Sequence, residues 1–114
     1  MCTQNSLQKI LGIVTERMKG LFGEKLCSIV LFGSYARGDF EDESDLDVFV
    51  MVDMDAETLA SYRSEISRFS SRIALEYDIL LSVILQDKRT FDKWQDTLPF
   101  FINVKREGVS VYAA

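Results

Sequence analysis

The sequence predicts an α+β (α/β) fold: a small β-sheet flanked by helices. Three observations carry this. Short apolar runs rich in β-branched residues occupy 26–32, 46–52 and 77–85. Stretches with apolar residues at steps of three and four lie before, between and after them. No internal repeat, low-complexity tract or linker interrupts the 114 residues, so one domain spanning 1–114 is expected. The order reads α-β-β-α-β-α-α, with a short edge strand possible in the closing GVSVY.

From 6 to 22, Leu7, Ile10, Leu11, Val14, Met18, Leu21 and Phe22 form one helical stripe. Asn5 is placed to cap it, Gln8 to reciprocate and Gly23 to stop it. LCSIVLF then reads as a buried strand ended by Gly33, and LDVFVMV as a second. Asp55 is placed to cap a helix over 55–72, with Leu59, Tyr62, Ile66, Phe69 and Ile73 as its buried face. Arg63, Arg68 and Arg72 fall off that stripe, as on a solvated face. YDILLSVIL (77–85) reads as the third strand. Asp87 caps a short helix through Trp94, and Pro99 opens another that Gly108 ends. Phe91, Trp94, Phe100, Phe101 and Cys27 are expected in the core.

Composition excludes several chemistries. There is no histidine, so there is no Ser-His-Asp triad and no imidazole base or zinc ligand. Cys2 and Cys27 make no CxxC pair and suit a reducing, cytoplasmic setting. No apolar run is long enough to span a bilayer, and the polar residues near the N-terminus do not suit a signal peptide. A net charge of −5 argues against direct nucleic-acid binding. The acids concentrate at Asp39, Glu41, Asp42, Glu43, Asp45 and Asp47, with no base among them. Such a run is either a solvated loop or, in part, a divalent-metal site.

Spacing separates the two readings. Gly33 and Ser34 follow the first strand; ten residues later Asp45-Leu46-Asp47 opens the second. Gly33 lets backbone approach a phosphate, and Ser34 offers a hydroxyl and an N–H at a turn. Asp45 and Asp47, two apart on a strand, project to one face, where paired carboxylates can hold Mg2+. Leu46, Val48 and Val50 point into the core. By chance a G-S-x10-D-x-D pattern arises at roughly a few positions in 10^5. Arg37 either braces a bound triphosphate or pairs with Asp39 or Asp42 to hold the loop.

GSYARGDF followed by SDLDVFV resembles the polymerase-beta-like nucleotidyltransferase superfamily, and the ending KREGVSVY is similar to its minimal nucleotidyltransferase (MNT) branch. The resemblance implies the palm-type nucleotidyltransferase fold, ATP as substrate and two Mg2+ ions roughly 4 Å apart. It implies triphosphate binding by Gly33 and Ser34, with Arg37 a candidate beside them, and metal binding by Asp45 and Asp47. Asp78, in EYDILLSV, matches the family's third carboxylate, as a metal ligand and possible general base. A site shared by Ser34, Asp45 and Asp78 requires the first two strands to be antiparallel and the second and third parallel, hence a mixed sheet. MNT proteins resemble the antitoxin half of HEPN–MNT toxin–antitoxin pairs. That implies transfer of AMP to a tyrosine of a HEPN ribonuclease toxin, with a partner or second subunit completing the site. Two other readings are a small-molecule (aminoglycoside-type) nucleotidyltransferase and a non-catalytic antitoxin acting sterically. No base-reading motif is visible.

Overall fold

The computed structural model describes residues 4–38 and 45–114. Helix α1 (Gln4–Phe22) leads through a 3-10 turn (Gly23–Lys25) into β1 (Leu26–Phe32). A one-turn helix α2 (Ser34–Arg37) follows, then β2 (Leu46–Val52), α3 (Ala56–Ala60), α4 (Arg63–Tyr77) and β3 (Leu81–Asp87). Helices α5 (Lys88–Trp94) and α6 (Pro99–Glu107) precede the last strand, β4 (Val109–Ala113).

The four strands form one sheet in the order β3-β2-β1-β4. β1 runs antiparallel to β2 and to β4, while β2 and β3 are parallel. The sheet is therefore mixed, with the pairing expected from the motif. The parallel connection from β2 to β3 needs a crossover, which α3 and α4 supply.

Strand alternation divides the core into two layers. Leu46, Val48, Val50 and Val52 of β2 join Ile29 and Leu31 of β1 under α1, α3 and α4. The α1 stripe expected from the sequence is buried there except Leu21, which is half-buried. On the opposite face, Phe49 packs with Phe91 of α5 and with Phe101 and Val104 of α6. The Phe49 ring lies 5.6 Å from Phe91 and 6.2 Å from Phe101, separations typical of attractive aromatic pairs.

The structure corrects five local expectations. The first is the N-terminus of α1: Asn5 lies inside the helix, not at its cap. Second, the helix expected over 55–72 is two helices. Asp55 does cap α3, accepting from Thr58 N–H at 2.9 Å. The backbone then tightens, with Ser61 and Tyr62 N–H groups bonding three residues back to Thr58 and Leu59; such 3-10 closure commonly ends a helix. Third, α4 runs on to Tyr77 through Ala-Leu-Glu, all strong helix formers, so β3 starts at Leu81 and not at 77. Fourth, Asp78 does not open a strand. It ends α4 in the left-handed conformation (φ 53°, ψ 49°), where a short polar side chain is among the few tolerated. Fifth, Phe91 and Phe101 are buried, but Trp94 and Phe100 remain partly exposed and Cys27 is only half-buried.

Asp87 caps α5 through Thr90 N–H as expected. Among the described residues no helix is long and apolar enough to cross a membrane. Cys2, Asp39, Glu41, Asp42 and Glu43 lie outside the described residues.

Candidate active site

The site is built where β1 ends and β2 begins. β1 stops at Phe32, and Gly33 turns the chain with φ 77° and ψ −154°, a region essentially confined to glycine. The turn also brings Gly33 against Asp47: a Cβ placed on Gly33 would stand 2.6 Å from Asp47 Oδ2. The Gly33 carbonyl accepts from Ala36 and Arg37 N–H groups, both at 3.1 Å, and so starts α2. Ser34 is the first residue of that helix, and Tyr35 anchors it in the core. Gly38, left-handed at φ 81°, closes it by donating to the Ser34 carbonyl.

Asp45 immediately precedes β2 and is exposed; Asp47 is half-buried within the strand. The Leu46 N–H between them donates to the Leu80 carbonyl at 2.8 Å, fixing the start of β2 against the segment entering β3. Burial raises the Asp47 pKa, and the Asp45 carboxylate raises it further; Arg37 pulls it the other way. Asp47 thus holds its charge at a cost, beside a second carboxylate.

Arg37 reaches Glu107 of α6 at 3.4 Å, an ion pair of half-exposed groups. Its expected pairing with Asp39 or Asp42 falls outside the described residues.

The structure brings Gly33, Ser34, Asp45 and Asp47 to one end of the sheet, with Arg37 close enough to act on Asp47. It does not bring Asp78 into a common cluster with the two other aspartates. Among the described residues no group of three or more acids or thiols is arranged to hold one ion. Asp78 is exposed, in the segment leading to β3. The residue beside Asp47 on β3 is Ser82, its register partner. Sequence reading missed Ser82 because it placed the strand start four residues early. Only the sheet register identifies this neighbour.

Asp45 and Asp47 fit a hard divalent cation. They are oxygen donors two residues apart, and the charge of Asp47 is opposed by burial and by its neighbour. Mg2+ binds such carboxylates while keeping open positions for phosphate oxygens.

Comparison with known proteins is consistent with this geometry. The model for the nucleotidyltransferase domain matches residues 7–105. The chain belongs to this nucleotidyltransferase family. The resemblance of GSYARGDF and SDLDVFV to nucleotidyltransferases is thereby borne out. A relative from Methanocaldococcus jannaschii, named "Putative protein adenylyltransferase MJ0141", is 41% identical over 83 residues, covering 70% of this chain and 82% of its own. A second from the same organism, "Putative protein adenylyltransferase MJ0604", is 28% identical over 105 residues, covering 92% and 97%. Among solved structures, a toxin-antitoxin crystallised with AMP-PNP superposes with a TM-score of 0.58 at 18% identity, over 91% of this chain and 73% of that one. A mutant of the MntA-HpeT toxin-antitoxin gives 0.54 at 18% identity, with the same coverage. At these identities the superpositions establish the nucleotidyltransferase fold.

Proposed function

We propose that this nucleotidyltransferase moves AMP from ATP to a tyrosine hydroxyl of a HEPN-type ribonuclease toxin, silencing it. The observation that carries this reading is the meeting of a glycine-serine turn with two carboxylates at one sheet end, where Gly33 leaves no side chain between the turn and Asp47. The names of the relatives, protein adenylyltransferases and a toxin-antitoxin with AMP-PNP, support ATP and a protein acceptor.

Each residue has a distinct part. Gly33 allows phosphate oxygens close to the backbone, and Ser34 donates to them from its hydroxyl and N–H. Arg37, held by Glu107, adds positive charge beside the triphosphate. Asp45 and Asp47 would hold Mg2+, which supplies charge neutralisation to the phosphates and the leaving pyrophosphate. The acceptor oxygen attacks the α-phosphorus in line, and the bond to pyrophosphate breaks. With no histidine in the chain, the hydroxyl proton goes to a carboxylate. Asp78 is the candidate base: it is exposed, and its segment is tied to the start of β2 through Leu80 and Leu46.

The test is label transfer. Incubation with ATP labelled at the α-phosphate, Mg2+ and a cognate HEPN protein should label that protein. The doubly substituted Asp45→Asn, Asp47→Asn chain should leave it unlabelled. Undiminished labelling by that variant contradicts the assignment. Neutralisation of the toxin without any labelling points instead to a steric antitoxin.

A further inference from the structure

The proposed reaction places the phosphates but gives the nucleotide base no seat. The face of the sheet that carries Asp47 offers one. Phe32 lies opposite Asp47 in the β1–β2 pairing, and residues directly opposite one another project to the same face. The Phe100 ring of α6 stands edge-on to Phe32, with centroids 5.5 Å apart and planes at 81°. It also lies 6.0 Å from Phe49. Pro99 starts α6 directly before it, so the backbone that carries this ring is fixed. Its neighbours Phe49 and Phe101 are buried, yet Phe100 is 41% exposed. The ring is thus buttressed by three aromatics, Phe32, Phe49 and Phe101, while much of its surface remains in water.

The spacing suits a nucleoside. One strand spacing, ~4.8 Å, separates Asp47 from Phe32, and one ring separation of 5.5 Å separates Phe32 from Phe100. Taken in series the two steps span roughly 10 Å, which an α-phosphate and its ribose together bridge between a bound cation and the base. We infer that Phe100 is the platform on which the base of the bound nucleoside triphosphate stacks. This rests on the phosphate-binding reading of Gly33, Ser34, Asp45 and Asp47. Stacking on one ring reads area rather than hydrogen-bond pattern, so purines are favoured over pyrimidines without any polar base-reading residue.

Isothermal titration of the whole chain with Mg-ATP and with Mg-bound inorganic triphosphate tests this. Phe100→Leu keeps an apolar side chain against Phe32 and Phe49 but removes the π-face; Phe100→Tyr keeps it. Phe100→Leu should weaken ATP binding about 5- to 160-fold, the range of one lost base–aromatic stack. It should leave inorganic triphosphate unchanged, and Phe100→Tyr should bind ATP as the unaltered chain does. The same ATP affinity in Phe100→Leu overturns the inference, as does an equal loss for ATP and triphosphate, which marks a structural effect. If the unaltered chain binds triphosphate but gains nothing from the base, the inference falls alone. If it binds neither, the proposed function falls with it.

Discussion

Gly33 faces Asp47 with no room for a side chain between them: a Cβ on Gly33 would stand 2.6 Å from Asp47 Oδ2, closer than such atoms approach. Gly33 ends β1 and Asp47 lies in β2, so this close approach joins the phosphate turn to the carboxylate pair. Gly33→Ala meets both the steric conflict and a backbone conformation that costs ~1–3 kcal/mol for a residue with a Cβ. The variant should unfold at lower urea by about that free energy and lose nearly all transferase activity. A urea melt with unchanged midpoint would show that the turn can relax.

Asp47→Asn should stabilise the metal-free protein while abolishing its response to Mg2+. Burial and Asp45 raise the Asp47 pKa above its ordinary value. A carboxylate with a raised folded pKa favours folding in acid and loses that contribution as pH rises through the folded value. The melting temperature advantage of Asp47→Asn should therefore be absent in strong acid, grow through that window and level off near neutrality. Melting temperatures taken across pH check this.

Mg2+ should raise the melting temperature of the unaltered chain. Each tenfold excess over the dissociation constant adds ~1.4 kcal/mol, and the rise should disappear in Asp45→Asn and Asp47→Asn alike. A rise that survives both substitutions would place the ion elsewhere.

Asp78 is the base of the proposed reaction, and its substitution tests that role apart from metal binding. Asp78→Gly relieves a left-handed backbone at the end of α4, a strain worth about 1 kcal/mol, and should stabilise the fold by up to that amount. It should cut kcat by ~10^2-fold or more as a lost base, yet keep the full thermal shift with Mg2+. Loss of that shift would restore Asp78 as a ligand.

Arg37→Ala should cost under about 1 kcal/mol of stability, since its bond to Glu107 is half-exposed. It should also shift the Asp47 titration to higher pH, because Arg37 is the cation that opposes the rise. Observation of the Asp47 carboxyl by NMR across pH reads this directly.

The sheet and its site were legible where local chemistry was decisive. The bounds of β1 and β2 follow from apolar runs closed by Gly33 and opened by Asp45; their antiparallel direction follows from requiring Ser34 and Asp45 at one end, and the parallel direction of β3 from requiring Asp78 there as well. Asp55 and Asp87 cap as their neighbours require. Less was legible where the same residues serve two structures. Leu59, Tyr62 and Ile66 keep helical spacing across a break set by hydrogen bonding at Ser61. The stretch 77–80 is apolar enough for a strand, but α4 keeps Tyr77 and the left-handed turn at Asp78 ends the helix there. Pattern cannot reveal that turn in a residue other than glycine. Ser82 beside Asp47, and Phe100 beside Phe32, are tertiary neighbours from separate elements, so no spacing in the chain announces them.

The most direct measurement is the anomalous difference density of a crystal soaked with Mn2+ and a non-hydrolysable ATP analogue. Manganese peaks should lie between the Asp45 and Asp47 carboxylates, with the triphosphate continuous to Gly33 and Ser34. Manganese bound elsewhere, or triphosphate density remote from that turn, would contradict the account.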